Sequence, residues 1–170
     1  MIATISFHLR AIADLLEQGE QPVKKGSHVK VPLAIDTKLI PQGWSVVSDA
    51  PEGDVDLAAL DCSLCPVRGS ETSINGTTMM ARAKEDRAIG SLGLAAALIK
   101  AQDEGKEIFP VESRGKHCFI MPLTELQYGD GLGYVAYFYW SDKQHRWVLH
   151  FNWLDNYFFY RYDHFIRRSE

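Results

Sequence analysis

YVAYFYWSDKQHRWVLHFNWLDNYFFYRYDHF, residues 134–165, is the stretch of sequence that decides the fold. Fourteen of the nineteen Phe, Trp and Tyr residues of the chain lie in it, including three of the four tryptophans. Aromatic side chains bury large areas and favour cross-strand pairing, so their concentration here predicts an antiparallel sheet at the centre of the core. We term residues 134–165 the aromatic ribbon.

Two strands joined by a hairpin are predicted inside the aromatic ribbon, over 134–140 and 147–154. Side chains alternate between two faces along a strand. One face of the second strand is then apolar and the other is mixed, with Trp147, Leu149, Phe151 and Trp153 on the first and Val148, His150, Asn152 and Leu154 on the second. The first strand is apolar on both faces, and such a strand is covered on both sides or meets a ligand or partner on one. Residues 157–166 are predicted as a third strand, with a terminal helix as the alternative.

Two helices are predicted outside the ribbon. Apolar residues recur at helical spacing over 4–18 and the pattern stops at Gly19, which predicts the first helix. A longer apolar stripe predicts a second helix over 79–104. Gly90 and Gly93 each cost about 1 kcal/mol relative to alanine inside a helix. The second helix is therefore expected to break there into two helices, or to pack closely against a neighbour.

Short strands are predicted in the remaining segments. The β-rich pieces between prolines and glycines predict strands at 29–31, 39–40 and 44–47. Residues 55–64 fit either a strand or a single helical turn. Further along the chain, a hairpin is predicted from strands at 107–112 and 117–123, with its turn at Ser113-Arg114-Gly115.

These elements predict an α+β fold, with residues 1–170 forming a single domain. We expect a mainly antiparallel sheet of four to six strands, with two helices, or three if the second one breaks, packed on one face. A chain of 170 residues is of ordinary size for one domain and can build a core without disulfide bonds.

Composition and charge argue against several classes of function. The net charge is -4, and a mildly acidic chain disfavours nucleic-acid binding, which depends on many Lys and Arg contacts to phosphate. The N-terminus lacks the pattern of a signal peptide, and no run of about 18 apolar residues exists to span a membrane. Three cysteines, an odd number, fit reduced thiols better than a disulfide framework. We therefore expect a cytoplasmic protein with no membrane partner.

A C-x-x-C motif, Cys62 to Cys65, is the clearest candidate for redox or metal chemistry. Two unrelated reduced cysteines are the preferred interpretation, because a loop rather than a helix is predicted to follow the pair. A redox pair stays open as an alternative, as does a zinc site completed by His117 and Cys118. The acidic residues between 49 and 61 read as a solvated turn rather than as a calcium site. We predict neither a metal nor a cofactor.

The strand with two apolar faces supplies the main functional prediction. We expect a binding or interaction module that uses the aromatic sheet face, or its adjoining loops, to bind a small ligand or a protein partner. The residues predicted to line that surface are Tyr137, Tyr139, Trp140, Trp147, His150 and Trp153.

Two other functions stay open. A small enzyme of undetermined class would bring His150 and Asp155 together in one pocket, with or without a cysteine. No motif of a known catalytic class is present, so catalysis is the less favoured prediction. The other alternative is a homo-oligomer, such as a homodimer, that is built through the aromatic strands.

Overall fold

The computed structural model describes residues 30–62, 65–129, 131–155 and 163–169. The helix predicted over 4–18 lies outside the described residues. So do the first six residues of the strand predicted over 157–166, and these predictions stay untested there.

Nine strands and two α-helices follow one another in the described part of the chain. The strands are β1 (Lys30–Pro32), β2 (Ser45–Ser48), β3 (Asp54–Asp56), β4 (Leu60–Asp61), β5 (Cys118–Gln127), β6 (Gly133–Ser141), β7 (Arg146–Trp153), β8 (Asp163–Phe165) and β9 (Arg167–Arg168). The helices are α1 (Gly76–Glu85) and α2 (Leu92–Asp103), and 3₁₀ turns lie at Thr37–Leu39, Leu57–Ala59 and Val111–Ser113. Neither α-helix is long and apolar enough to cross a membrane.

The largest sheet has five strands in the order β2-β5-β6-β7, with β8 also paired to β5. β2, β5, β6 and β7 are antiparallel neighbours, whereas β8 runs parallel to β5. Since β6 occupies one side of β5, β2 and β8 share its other side, against residues 125–127 and 118–120 respectively. The predicted α+β class with a mainly antiparallel sheet is confirmed. The end of the aromatic ribbon, however, departs from the expected antiparallel order, because β8 pairs in parallel with β5.

The predicted hairpin at the centre of the ribbon is present. β6 and β7 pair in continuous register, from Tyr134 opposite Trp153 to Ser141 opposite Arg146. The ladder contains no bulge, so every side chain of β7 keeps the face that the alternation of the sequence assigns to it.

Each face of the sheet packs against its own apolar cluster. Within β6, Ala136 and Phe138 belong to one cluster, while Val135 and Tyr137 belong to the other. Helix α2 covers the first cluster and helix α1 the second, and we term the two sides the α2 face and the α1 face. The arrangement differs from the expectation that the helices pack on one face. The physical reason is that β5 and β6 are apolar on both sides, so both sides need cover.

The glycines of the predicted second helix mark both a break and close packing. α1 ends at Glu85 and α2 begins at Leu92, so the helix divides as expected. A Cβ at Gly90 would lie 2.6 Å from the carbonyl oxygen of Ile120, and one at Gly93 would lie 2.7 Å from that of Leu33. Neither approach leaves room for a side chain. These two glycines therefore let α2 pack directly on the backbone at the end of β1, and the segment before it on the backbone of β5.

The hairpin predicted over 107–123 is wrong. Its second strand exists as part of β5, but its first strand is replaced by a loop and a 3₁₀ turn. Pro110 cannot donate a hydrogen bond to a ladder. Phe109 instead stacks on Phe119 with the ring centroids 3.9 Å apart, so this segment fills the core of the α2 face.

Two aspartates explain the other 3₁₀ turns. The side chains of Asp36 and Asp56 accept hydrogen bonds of 2.9 Å from the backbone N–H groups of Lys38 and Ala58. The strand predicted at 39–40 is therefore wrong, because the first of these turns takes its place. The segment 55–64, for which strand and turn were both considered, contains both.

Candidate functional site

The six residues predicted to form a binding surface lie on both faces of the sheet. The β6–β7 register places Tyr137, Tyr139 and His150 on the α1 face. It places the other three, Trp140, Trp147 and Trp153, on the α2 face. The structure thus brings only the first three together, and the tryptophans belong to a separate environment.

Tyr137, Tyr139 and His150 form one ring cluster, which we term the tyrosine–histidine cluster. The ring centroids are 6.1 Å apart for the two tyrosines, and 5.8 and 6.3 Å from the imidazole of His150 to Tyr137 and Tyr139. His150 is exposed and both tyrosines are half-buried. Burial, with a smaller effect from Cys118, raises the pKa of Tyr137, so its hydroxyl stays protonated. The cluster offers apolar rings with polar tips at an open surface.

Trp147 and Trp140 serve the core of the α2 face. Trp147 is 2 % exposed and meets Phe109 and Trp140 edge to face, with centroids 5.0 and 5.7 Å apart. The guanidinium of Arg114 lies 4.4 Å from the centre of the Trp140 ring and covers it. Trp153 differs, because 38 % of it is exposed at the end of β7.

The backbone of β7 presents an edge that the sequence prediction missed. In an antiparallel pair, alternate residues bond to the neighbouring strand and the residues between them point their backbone groups away. Trp147 is one of the outward residues, since its N–H donates to Gln102 Oε1 at 2.8 Å and its carbonyl accepts from Gln102 Nε2 at 3.0 Å. Leu149, Phe151 and Trp153 follow at the same spacing and also point outward.

No strand or side-chain amide pairs with these three residues in the part of the chain that the structure describes. The one contact is local: His150 Nδ1 lies 3.1 Å from the carbonyl oxygen of Phe151. We term Leu149–Trp153 the free edge. It contains no proline, lysine or acidic residue, which are the usual devices that prevent an edge strand from pairing.

The opposite side of the sheet is closed or irregular. The segment 65–67 covers β8, because Val67 N donates to Asp163 O and Phe165 N donates to Cys65 O, both at 2.9 Å. β2 has only four residues and a register irregularity between Val46 and Ser48. Among the described strands of this sheet, β7 is therefore the edge that is both long and regular.

A second feature that the sequence prediction missed is a histidine pair in which His164 is buried and His117 half-buried. His164 Nε2 lies 2.9 Å from His117 Nδ1, and His164 is 2 % exposed between β8 and β5. Burial, and then the neighbouring His117, lower the pKa of His164 to about 4. Burial, and then Lys116, also lower the pKa of His117. The pair is therefore neutral at physiological pH, and its two members are too far apart in sequence for a local motif to show it.

The residues of the alternative enzyme hypothesis do not meet in any of three clefts formed by the described residues. Asp155 lines a cleft of about 830 Å³ together with Lys84 and Glu125, and neither His150 nor a cysteine is among its lining residues. Burial raises the pKa of Cys62 and of Cys118 to about 12, with Asp61 and Asp163 adding to the effect. Burial also raises the pKa of Cys65. Thiols in this state are poor nucleophiles and poor metal ligands.

The acidic residues between 49 and 61 have structural contacts of their own. Asp49 accepts hydrogen bonds from Ile35 N at 2.8 Å and from the Thr124 hydroxyl at 2.9 Å. Asp61 forms an ion pair with Arg167 at 3.0 Å. No group of three or more His, Cys, Asp or Glu side chains is placed to hold a metal within the described ranges. Comparison of the chain with protein-family models, curated proteins and solved structures finds no significant match.

Proposed function

We propose that this protein is a cytoplasmic interaction module that binds an extended polypeptide by strand addition at the free edge of β7. The tyrosine–histidine cluster would contact alternate side chains of the added strand on the α1 face. The observation behind this proposal is the free edge itself, which offers outward N–H and carbonyl groups at Leu149, Phe151 and Trp153 in a regular strand. The three free thiols suit a reducing compartment.

Strand addition matches both properties of the edge. Backbone hydrogen bonds supply affinity, and side chains that alternate along the strand supply specificity. On the α1 face the side chains next to the edge are polar, namely His150 and Asn152. On the α2 face they are apolar, and the exposed Trp153 is available to a bound segment. An extended peptide with alternating polar and apolar residues therefore fits this surface.

Binding of a compact small molecule has less support. The tyrosine–histidine cluster does not line the clefts of about 850, 410 and 830 Å³. It lies on an open surface beside the edge instead. An open aromatic surface next to unpaired backbone favours a polypeptide over a small ligand, which usually needs a concave site.

Selection of short peptides tests the proposed function. Random octapeptides displayed on phage would be selected against the wild-type chain, and the enriched peptides titrated into ¹⁵N-labelled protein. We expect amide shifts and slowed hydrogen exchange at Leu149, Phe151 and Trp153. N-methylation of alternate peptide bonds should abolish binding, because it removes the donors that pair with the edge.

Two substitutions provide the matched comparison. Trp153→Lys places a charge at the free edge, whereas Val111→Lys places the same charge at a residue that is 55 % exposed in a 3₁₀ turn outside the sheet. Peptide binding should weaken by about tenfold or more in the first variant and stay unchanged in the second. Strand addition would be refuted by peptides that shift the amide signals of α1 or of residues lining a cleft and that still bind after N-methylation.

A further inference from the structure

We infer that the segment added to the free edge is β7 of a second copy of this chain, in antiparallel pairing about a two-fold axis at Phe151. The inference rests on the proposed function and names the partner of that same edge. It follows from the length of the edge, from its side chains and from the position of Gln102.

The register follows from which backbone groups are free. The side chain of Gln102 occupies both outward groups of Trp147, so the free run begins at Leu149 and has Phe151 at its centre. A two-fold axis at Phe151 sets Leu149 opposite Trp153 of the second copy and Phe151 opposite its own equivalent. Each of these pairs is of the type that exchanges two N–H···O hydrogen bonds. Every outward group of the free edge then has a partner.

Neighbouring registers match fewer groups. An axis at His150 would set Trp153 opposite Trp147, whose backbone already bonds to Gln102. It would also set the two His150 side chains directly against each other. An axis at Asn152 would pair Phe151 with Trp153 and set Leu149 opposite Asp155, which lies in the turn after β7. Phe151 is therefore the centre that satisfies the whole free edge.

The side chains are complementary in the same register. On the α2 face Leu149 meets Trp153 and Phe151 meets Phe151, so apolar groups meet apolar groups. On the α1 face His150 meets Asn152 across a non-hydrogen-bonded pair, where the Cα atoms approach to about 4.5 Å. An imidazole and an amide at that distance can form a hydrogen bond. No charged residue lies between Leu149 and Trp153 to cause repulsion.

The local contact of His150 does not block the pairing. Its Nδ1 lies 3.1 Å from the carbonyl oxygen of Phe151, and a carbonyl oxygen has two lone pairs. His150 is exposed, so its ring is free to turn towards Asn152 of the second copy. The pairing would then join the two sheets into one. A contact of one short strand is small, and we expect a dimer that dissociates on dilution.

Sedimentation velocity of the full chain over a wide range of concentration tests the self-association. We expect a monomer–dimer equilibrium that weakens by about tenfold or more in Trp153→Lys, because a lysine at the edge opposes strand pairing. Val47→Lys changes a residue on β2 that is 52 % exposed, and Val111→Lys changes one outside the sheet, so neither should alter the dimer. All three sites are exposed, and thermal melts should show that each variant stays folded.

Cysteine cross-linking tests the register. In the proposed pairing, His150→Cys faces Asn152→Cys of the second copy, so the double variant should form an intermolecular disulfide under mild oxidation. Each single variant should fail to do so. Cross-linking of His150→Cys alone would place the axis at His150, and cross-linking of Asn152→Cys alone would place it at Asn152. Either result overturns the Phe151 register.

The outcomes also separate this inference from the proposed function. A chain that is monomeric at every concentration, or a dimer that Val47→Lys dissociates and Trp153→Lys does not, refutes self-pairing through β7. If selected octapeptides still bind the free edge in that case, strand addition stands with another partner. If they bind elsewhere or not at all, both proposals fall.

Discussion

The two edges of the five-stranded sheet differ in how far their outward backbone groups are covered. On the side of β8 and β2, the segment 65–67 pairs with β8, and β2 offers an added strand only four residues with an irregular register. On the side of β7, no described residue pairs with the outward backbone groups of Leu149, Phe151 and Trp153. Edge strands that stay unprotected are prone to pair with other chains, and natural proteins usually prevent this. The edge formed by β8 and β2 is therefore protected against pairing with another chain, whereas β7, where we propose that a strand is added, lacks such protection among the described residues.

Gln102 sharpens this contrast within β7 itself. Its side-chain amide bonds to both outward groups of Trp147 in the way a neighbouring strand would. Beside it, Asp103 pairs with Arg146 at 2.8 Å. The end of α2 therefore covers the backbone at the beginning of β7. Within the described ranges, no residue covers the outward groups from Leu149 to Trp153. The boundary lies between Trp147, whose outward groups bond to Gln102, and Leu149, the next outward residue.

The largest expected effect concerns the end of β7 that is anchored to α1. Gly76 N donates to the carbonyl oxygen of Leu154 at 3.0 Å, and a Cβ at Gly76 would overlap that oxygen. Gly76→Ala should lower the free energy of unfolding by about 3 kcal/mol, because two backbones must separate. Thr77→Ala, at the exposed neighbour in the same helix, should change it little. Chemical denaturation measures the free energy of unfolding of both variants. Equal values for Gly76→Ala and Thr77→Ala would contradict the close contact between Gly76 and Leu154.

The next expected effect concerns the edge at β8, where the buried His164 contacts His117. The pKa of His164 is about 4 in the folded chain, against an ordinary value of 6.5. As the pH falls from 6.5 towards 4, the unfolded chain therefore takes up a proton that the folded chain does not, and the free energy of unfolding decreases. We expect a loss of about 2 kcal/mol over that range. His164→Phe should remove most of this dependence. His150→Gln, at the exposed imidazole of the open side, should keep it. A wild-type chain as stable at pH 4 as at pH 7 would contradict the burial of His164.

A smaller effect is expected where Gln102 closes the beginning of β7. Gln102→Ala removes two hydrogen bonds to Trp147 and should destabilise the fold by about 1–2 kcal/mol. Hydrogen exchange at the Trp147 amide should accelerate, because the free edge becomes longer. Gln144→Ala, at an exposed residue of the β6–β7 turn, serves as the control. Unchanged exchange at Trp147 would mean that the side chain of Gln102 does not protect the edge.

The smallest expected signal is thiol labelling of the native chain. Cys62 and Cys118 have pKa values raised to about 12 by burial, so iodoacetamide at neutral pH should leave both thiols almost unmodified. A cysteine introduced on the open side by His150→Cys should react readily in the same experiment. Mass spectrometry of the peptides distinguishes the sites. Fast modification of Cys62 or Cys118 would revive the redox hypothesis for these thiols.

Local pattern predicted much of the fold. The hairpin of the aromatic ribbon and the alternation of faces within each of its strands follow from period-two alternation, which needs no knowledge of the rest of the chain. The six residues predicted to line one surface nevertheless divide between two faces, because neighbours such as Tyr139 and Trp140 point to opposite sides of the sheet. The division of the second helix near Gly90 was also predicted, because glycine weakens a helix locally. The strand expected at 107–112 was wrong, since packing of Phe109 on Phe119 outweighed local β preference.

The sequence by itself determined that β6 would be apolar on both faces and which residues of each strand share a face. It did not separate Tyr137, Tyr139 and His150 from the tryptophans, because that separation depends on the β6–β7 register. Only the tertiary structure decided that the two helices divide between the faces, that β8 pairs with β5, and that Gln102 bonds to the backbone of Trp147. It also shows that, among the described residues, none pairs with the outward backbone groups from Leu149 to Trp153. The physical reason is the separation along the chain of the residues that interact. Alternation acts between neighbours along a strand, whereas the satisfaction of an edge depends on residues such as Gln102 and Trp147 that chain topology brings together across 45 positions.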